Sequence, residues 1–401
     1  MMRDALPPSA PHEREGVVHE RFTVEFDYPV WFTRDVFAPG NRLFPATLAR
    51  LGEPRRHRVL LYLDSNVAAA HPGLAARIAA CAEEFRDVFQ LAAPPAIIPG
   101  GACAKSEMEV VRDIMTTIGA LRLDRQSFVA AVGGGAVLDV VGFAASLVHR
   151  GLRFVRLPST TLAQGDAGIG VKNGMDIHGR KNFAGTFAPP FAVLNDFALL
   201  PTLTDRDWIG GVAEAFKVAI IKDAEFFDFL ARRARDLRGR DQAAMETTVR
   251  RCAEIHLEHI RTAGDPFELG SARPLDFGHW AGHQLEVMTG GAEGHGQAVA
   301  AGIALDSYYA MRTGRLTPLE LDRILAALRD CGLPVYHPLF AVRQPDGGPA
   351  VFAGLEQLRE HLGGLLTITL PDGIGRKVEV HTVDLRLYEE GIGALEELAR
   401  A

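Results

Sequence analysis

The run from Phe128 to Val148, FVAAVGGGAVLDVVGFAASLV, is almost free of charge, yet three consecutive glycines and Asp139 interrupt it. Its length would let a helix span the hydrocarbon core of a bilayer, which takes about 20 residues. Glycines and a carboxylate in its middle do not suit a lipid-facing helix. They suit a buried strand, a tight turn and a helix that begins at that turn. An apolar strand feeding through glycines into a helix is the unit of a parallel sheet, whose ligands gather at the carboxyl ends of the strands.

The same rhythm continues on both sides. HRVLLYLDSN reads as a strand ending in a polar turn, Pro72 to Phe89 as a helix, SEMEVVRDIMTTI as another helix and LRFVRLPST as a further strand. After about Phe197 the strand signals fade. Amphipathic helices take over from DRDWIGGVAEAFKVAIIKDAEFFDFLARRARDL, and a short β element, LLTITLP followed by KVEVHTV, comes near the end.

With 47% hydrophobic and 23% charged residues the chain has the balance of a soluble globular protein. Its formal charge of −7 offers no field for nucleic acid, so any anion must be held by a local basic cluster. Cys81, Cys103, Cys252 and Cys331 are scattered, which argues against a disulfide framework or a zinc knuckle and points to a reducing, cytoplasmic setting. The opening MMRDALPPSAPHEREG has no apolar core and is read as neither a signal peptide nor an anchor.

Three groups of residues could carry chemistry. GGGAVLD (133–139) places unpaired N–H groups and the positive end of a helix dipole where a phosphate can sit, although it is not a GxGxxG fingerprint and could serve packing alone. PSTTLAQGDAGIGVKNGMDIHGRKN (158–182) gathers Ser159, Thr160, Thr161, Asp166, Lys172, Arg180, Lys181 and Asn182 among glycines, and supplies the basic patch. Glu214 and Lys217 lie three apart on one helix, an ordinary ion-pair spacing, but among apolar neighbours that imply burial. His279 and His283 lie one helical turn apart in LDFGHWAGHQLE, and His295 follows in GAEGHGQAVAAGIAL. One glutamate with two histidines would make an open, catalytic type of divalent site that suits zinc or cobalt.

Together these segments resemble the 3-dehydroquinate synthase family of sugar phosphate cyclases. The resemblance runs from about Asp64 to His295 through GGGAVLDVVGF, RGLRFVRLPST, DAGIGVKNG, GRKN, PTL, GVAEAFK, DFGHWAGHQLE and HGQAVAAGI, in that order. It implies a mobile tail (1–20), an α/β NAD-binding domain (21–197) and an all-α metal and substrate domain (198–401). It also implies that Glu214, His279 and His295 hold the metal, whereas His283 contacts the substrate phosphate. Asp64, Asn66, Lys105, Gly134, Gly135, Asp139, Ser159, Thr160, Lys172, Lys181 and Thr202 match cofactor contacts. Asp166, Lys172, Lys217 and Asn182 match residues lining the substrate. Arg150 matches an arginine lent to the partner subunit's phosphate site, which implies a homodimer. The implied chemistry is transient oxidation, β-elimination of phosphate, reduction and intramolecular aldol closure, with NAD retained throughout.

The sequence departs from true 3-dehydroquinate synthases where these grip a carboxylate. Glu258 stands near the lysine position and Ala272 near the arginine position, with Arg273 one residue away. GVKNG replaces GGKTG, Asp276 replaces a common asparagine, REHLGG replaces a lysine-containing segment, and Ala102 replaces a glutamate near the adenosine. These changes resemble the sedoheptulose 7-phosphate cyclase and EboD-type branches and favour a substrate without a carboxylate. A true 3-dehydroquinate synthase and a metal-dependent polyol or glycerol-phosphate dehydrogenase are the competing readings, and the last would accumulate NADH.

Overall fold

The computed structural model describes residues 18–177, 180–262, 266–267, 275–345, 347–361 and 363–400. Most of the expected tail, 1–17, therefore lies outside the described residues. The elements up to Asp196 are β1 (Val30–Thr33), α1 (Leu43–Leu48), β2 (His57–Asp64), α2 (Ser65–Ala70), α3 (Leu74–Glu84), β3 (Phe89–Leu91), β4 (Ala96–Ile98), α4 (Met108–Ala120), β5 (Phe128–Gly133), α5 (Gly135–Leu147), β6 (Arg153–Pro158), β7 (Lys172–Ile177), β8 (Arg180–Phe187) and β9 (Ala192–Asp196). A seven-stranded sheet runs in the order β1-β9-β6-β5-β2-β3, with β4 also on β2, and its pairings are parallel.

β5 is buried at every position, as a strand covered on both faces must be. Val129 and Ala131 face a core shared with α4 and α5, while Phe128, Ala130 and Val132 face the core beneath α1 and α3. The expected helix from Pro72 to Phe89 is shorter: it ends at Glu84, and Phe89 joins a strand. β7 and β8 form an antiparallel hairpin outside the main sheet, where the sequence showed only a glycine-rich basic stretch.

From Asp205 the chain is mainly helical: α6 (Asp205–Lys222), α7 (Ala224–Arg238), α8 (Gln242–Thr262), α9 (His279–Met288), α10 (His295–Arg312), α11 (Pro318–Asp330), α12 (Ala353–His361) and α13 (Leu385–Arg400). The expected β element is present as β10 (Ile368–Pro371) paired with β11 (Lys377–Val380). No helix among the described residues is long and apolar enough to cross a membrane.

Glycines let α10 approach its neighbours at backbone distance. A Cβ on Gly296 would lie 2.0 Å from the Gly210 carbonyl oxygen of α6, and one on Gly302 would lie 2.0 Å from the Gly278 carbonyl oxygen. Gly278 itself has φ +77°, a conformation that favours glycine, and it turns the chain into α9. These contacts bring the starts of α9 and α10 beside the middle of α6.

Candidate active site

Strand pairing sets one half of the site. Asp64 pairs with Ile98 and Gly133 with Pro158, so the strand ends lie side by side at one sheet edge. Asp64 caps α2 by accepting from the Asn66 amide at 2.8 Å. Gly134 caps α5 without a side chain to bond its first N–H groups; a Cβ there would meet the Thr160 methyl at 3.3 Å. Gly100 has no room for a Cβ, which would stand 1.9 Å from Asp64 Oδ1. Ser159 is buried, Thr160 Oγ1 accepts from the Ala163 amide at 3.1 Å, and Thr202 Oγ1 lies 2.9 Å from His71 Nε2. This edge, glycine-lined and ending in a helix N-terminus, can receive a dinucleotide pyrophosphate.

The other half is the meeting of α6, α9 and α10. Glu214 Oε1 lies 3.4 Å from His279 Nε2 and 3.2 Å from His295 Nε2. Two donors each about 2.1 Å from a tetrahedral ion are about 3.4 Å apart, so these separations fit an ion shared among the three groups. The nitrogens of His279, His283 and His295 also lie within 4.8 Å of one another, so the distances alone allow a three-imidazole alternative. Burial, then the neighbouring His279 and His295, lowers His283 to about 4, which keeps it neutral near pH 7. Burial opposes ionisation of Glu214, but Lys217 and His279 outweigh it and hold the carboxyl well below its usual range.

His295 is braced from behind. Its Nδ1 lies 3.1 Å from Glu286 Oε2, the carboxylate–histidine arrangement that commonly fixes a metal-ligating ring. Burial works against the charge on Glu286, but His295 overrides it and the carboxyl falls to about 2. The start of α9 is pinned as well: Asp306, fully buried, accepts from the Gly278 amide, Trp280 Nε1 and the Tyr388 hydroxyl, each at 2.9 Å.

Asp166 and Lys217 join the two halves. Asp166 lies in a π-helical turn, Ala163–Ala167, an irregularity frequent at functional sites. Lys217 Nζ sits 2.5 Å from Glu214 Oε2 and 3.5 Å from Asp166 Oδ2, and these carboxylates raise its pKa despite burial. The β7–β8 hairpin forms a second link. Asn182, at φ +51°, accepts from Lys105 Nζ at 2.5 Å through Oδ1, and the same ammonium pairs with Asp139. Lys181 reaches Asp176 at 3.3 Å and Glu286 at 3.7 Å. Lys172 opens β7 and is exposed.

Arg150 is not part of this cluster. It follows the far end of α5, and 13 helical residues separate the ends of that helix by about 20 Å. It is exposed at φ +61°, next to His149 at φ +53°, an uncommon conformation for non-glycine residues. Of the positions where the carboxylate clamp is missing, Ala272 and Arg273 lie outside the described residues, and Glu258 is exposed on α8 with its charge felt by Lys222. Sequence reasoning missed Glu286, Asp306 and His256. Glu286 stands seven residues after His279, two turns along one face, a spacing that could have marked it.

The residues matching the family models of 3-dehydroquinate synthase are 96–210 for its N-terminal part and 211–346 for its C-terminal part. The chain belongs to the 3-dehydroquinate synthase-like superfamily of sugar phosphate cyclases. It is 37% identical to a 3-dehydroquinate synthase of Nitrosomonas europaea over 68% of this chain and 72% of that one. It is 35% identical to a 2-epi-valiolone synthase of Actinosynnema mirum, over 89% and 88% of the two chains. Among solved structures, the 2-epi-5-epi-valiolone synthase of Streptomyces hygroscopicus, with NAD+ and Zn2+ bound, superposes with TM-score 0.83 at 32% identity, covering 95% of this chain and all of that one.

Proposed function

We propose that this protein is an NAD- and divalent-metal-dependent cyclase that eliminates phosphate from a sugar phosphate lacking a carboxylate, such as sedoheptulose 7-phosphate, and closes a carbocycle. The observation that carries the reading is the position of Glu214 Oε1, at tetrahedral-edge distance from two imidazoles, with Lys217 against its other oxygen. Glu214, His279 and His295 would hold the ion, zinc or cobalt, and the glycine edge from Gly134 to Thr160 would hold NAD. When bound, the metal supplies Lewis acidity and the nicotinamide a hydride acceptor.

The chain's own residues do the rest. Lys217, a buried cation, faces the place where a hydroxyl oxygen gains charge and stabilises it. Asp166 accepts a hydrogen bond from a substrate hydroxyl. Neutral His283 donates N–H to the phosphate, and Lys172 and Asn182 orient the sugar. Arg150, exposed beyond the far end of α5, completes the phosphate pocket of a second copy in a homodimer. The soluble, cytoplasmic setting and the division into domains at 197/198 are part of the same proposal.

Charge supports the substrate class: Asp276 is among the charges acting on Lys217 and His283, and so adds a negative group to this pocket. The valiolone synthases among its relatives support the same branch. The test is phosphate release over a panel containing sedoheptulose 7-phosphate and the heptulosonate phosphate, with nicotinamide absorbance followed in parallel. Phosphate release from the first without NADH accumulation is expected. Turnover of the heptulosonate alone, or steady production of NADH, would overturn the reading.

A further inference from the structure

His256 lies on α8 and engages the Asp166 oxygen other than the one that faces Lys217. Its side chain is buried, and each ring nitrogen faces an acceptor: Nε2 lies 3.0 Å from Asp166 Oδ1, and Nδ1 lies 3.1 Å from the Cys252 carbonyl oxygen. A neutral imidazole has one N–H and can satisfy only one of them; an imidazolium beside a carboxylate satisfies both. Four side chains then alternate in sign from the metal ligand outward: Glu214, Lys217, Asp166 and His256. Cys252 Sγ stands 3.8 Å from the same Nδ1, but the thiol is buried and burial raises its pKa, so the trio is not a nucleophilic one.

We infer that His256 is a positioning residue for the proposed cyclisation: it ties down Asp166 Oδ1 so that Oδ2 stays turned toward Lys217 and the substrate. The inference rests on the functional reading given above. The geometry supplies the reason. Asp166 keeps 28% of its side chain accessible while Oδ1 is engaged by His256, so the carboxylate is still open to a bound sugar. With His256 removed, the remaining Lys217 contact, at 3.5 Å, is too long to hold the carboxylate against rotation. The Asp166 charge in turn outweighs burial and raises His256 to about 10.

The experiment uses the holoenzyme and the variants His256→Gln, Asp166→Asn and the double variant, each checked for bound metal, bound NAD and unfolding midpoint. His256→Gln should retain both cofactors and lose about 10- to 100-fold in kcat with a much smaller change in KM, the range seen when an orienting partner is removed. Added to Asp166→Asn, it should cost less than about 2-fold more, since residues acting through one another are not additive. Nitrogen NMR of the wild-type imidazole at about pH 8 should report both ring nitrogens protonated, and Asp166→Asn should abolish that signature. Fully additive losses, or a neutral His256 at that pH, would overturn the inference. The NMR measurement needs no turnover, so an inactive wild type would remove the cyclase reading while the imidazolium signal still decided the pair.

Discussion

Gly296→Ala tests whether helix approach sets the metal site. The added Cβ would start 2.0 Å from the Gly210 carbonyl oxygen and 2.5 Å from the Gly210 Cα. Ordinary contact lies near 3.5 Å, so α10 must retreat from α6 by roughly 1.5 Å. His295 precedes Gly296, and Glu214 lies one turn after Gly210, so this retreat lengthens the 3.2 Å edge between His295 Nε2 and Glu214 Oε1. Two donors at about 2.1 Å from one ion can be at most about 4.2 Å apart even in line, and the stretched pair exceeds that limit. Overpacking of this kind lowers stability by about 1–3 kcal/mol. Loss of a direct ligand should weaken metal binding by more than the roughly 100-fold upper range of outer-shell changes. Apoprotein titrated with zinc against a chromogenic chelator reads the affinity, and urea melts read the stability. Gly393→Ala, in α13, where an added methyl would meet nothing within 4 Å, serves as the control and should be neutral or stabilising by up to about 1 kcal/mol. A folded Gly296→Ala protein with wild-type zinc affinity would refute the reasoning.

Glu286→Gln keeps the shape that accepts from His295 Nδ1 but removes the charge; zinc affinity should fall about 10-fold, and Glu286→Ala should approach 100-fold. Equal chelator-competition curves for both variants and wild type would dismiss the brace. The His256–Asp166 pair predicts a pH window for stability. A histidine raised from 6.5 to about 10 on folding contributes fully below pH 6.5 and progressively less as pH rises through 10. Asp166, lowered on folding, contributes above 3.8 and loses its contribution only as pH falls through its folded value. The stability advantage of wild type over His256→Gln should therefore be level near pH 5–6 and shrink from pH 7 to 10, by at most about 1.4 kcal/mol per pH unit. A constant difference across that range would exclude the ion pair.

Local order was legible in the residues. FVAAVGGGAVLD specified strand, turn and helix because apolar burial, glycine conformation and helix periodicity all act over a few residues, and the structure places β5 and α5 there. HRVLLYLDSN and LRFVRLPST likewise became β2 and β6. The residue types for a divalent site were visible too, since Glu214, His279 and His295 sit at the middle or start of helices. Their meeting was implied by the family resemblance but not by any local pattern, because Glu214 and His279 lie 65 positions apart and the backbone contacts at Gly210, Gly278, Gly296 and Gly302 are what close that distance. His256 was overlooked for the same reason: on α8 it has the look of a core histidine, and its partner Asp166 lies 90 residues earlier, in a π-helical turn that no local pattern announced. The residues alone determine which groups are available and the local backbone that carries them; tertiary packing decides which charges share a low-dielectric space, and there their interactions become strong enough to set protonation and aim.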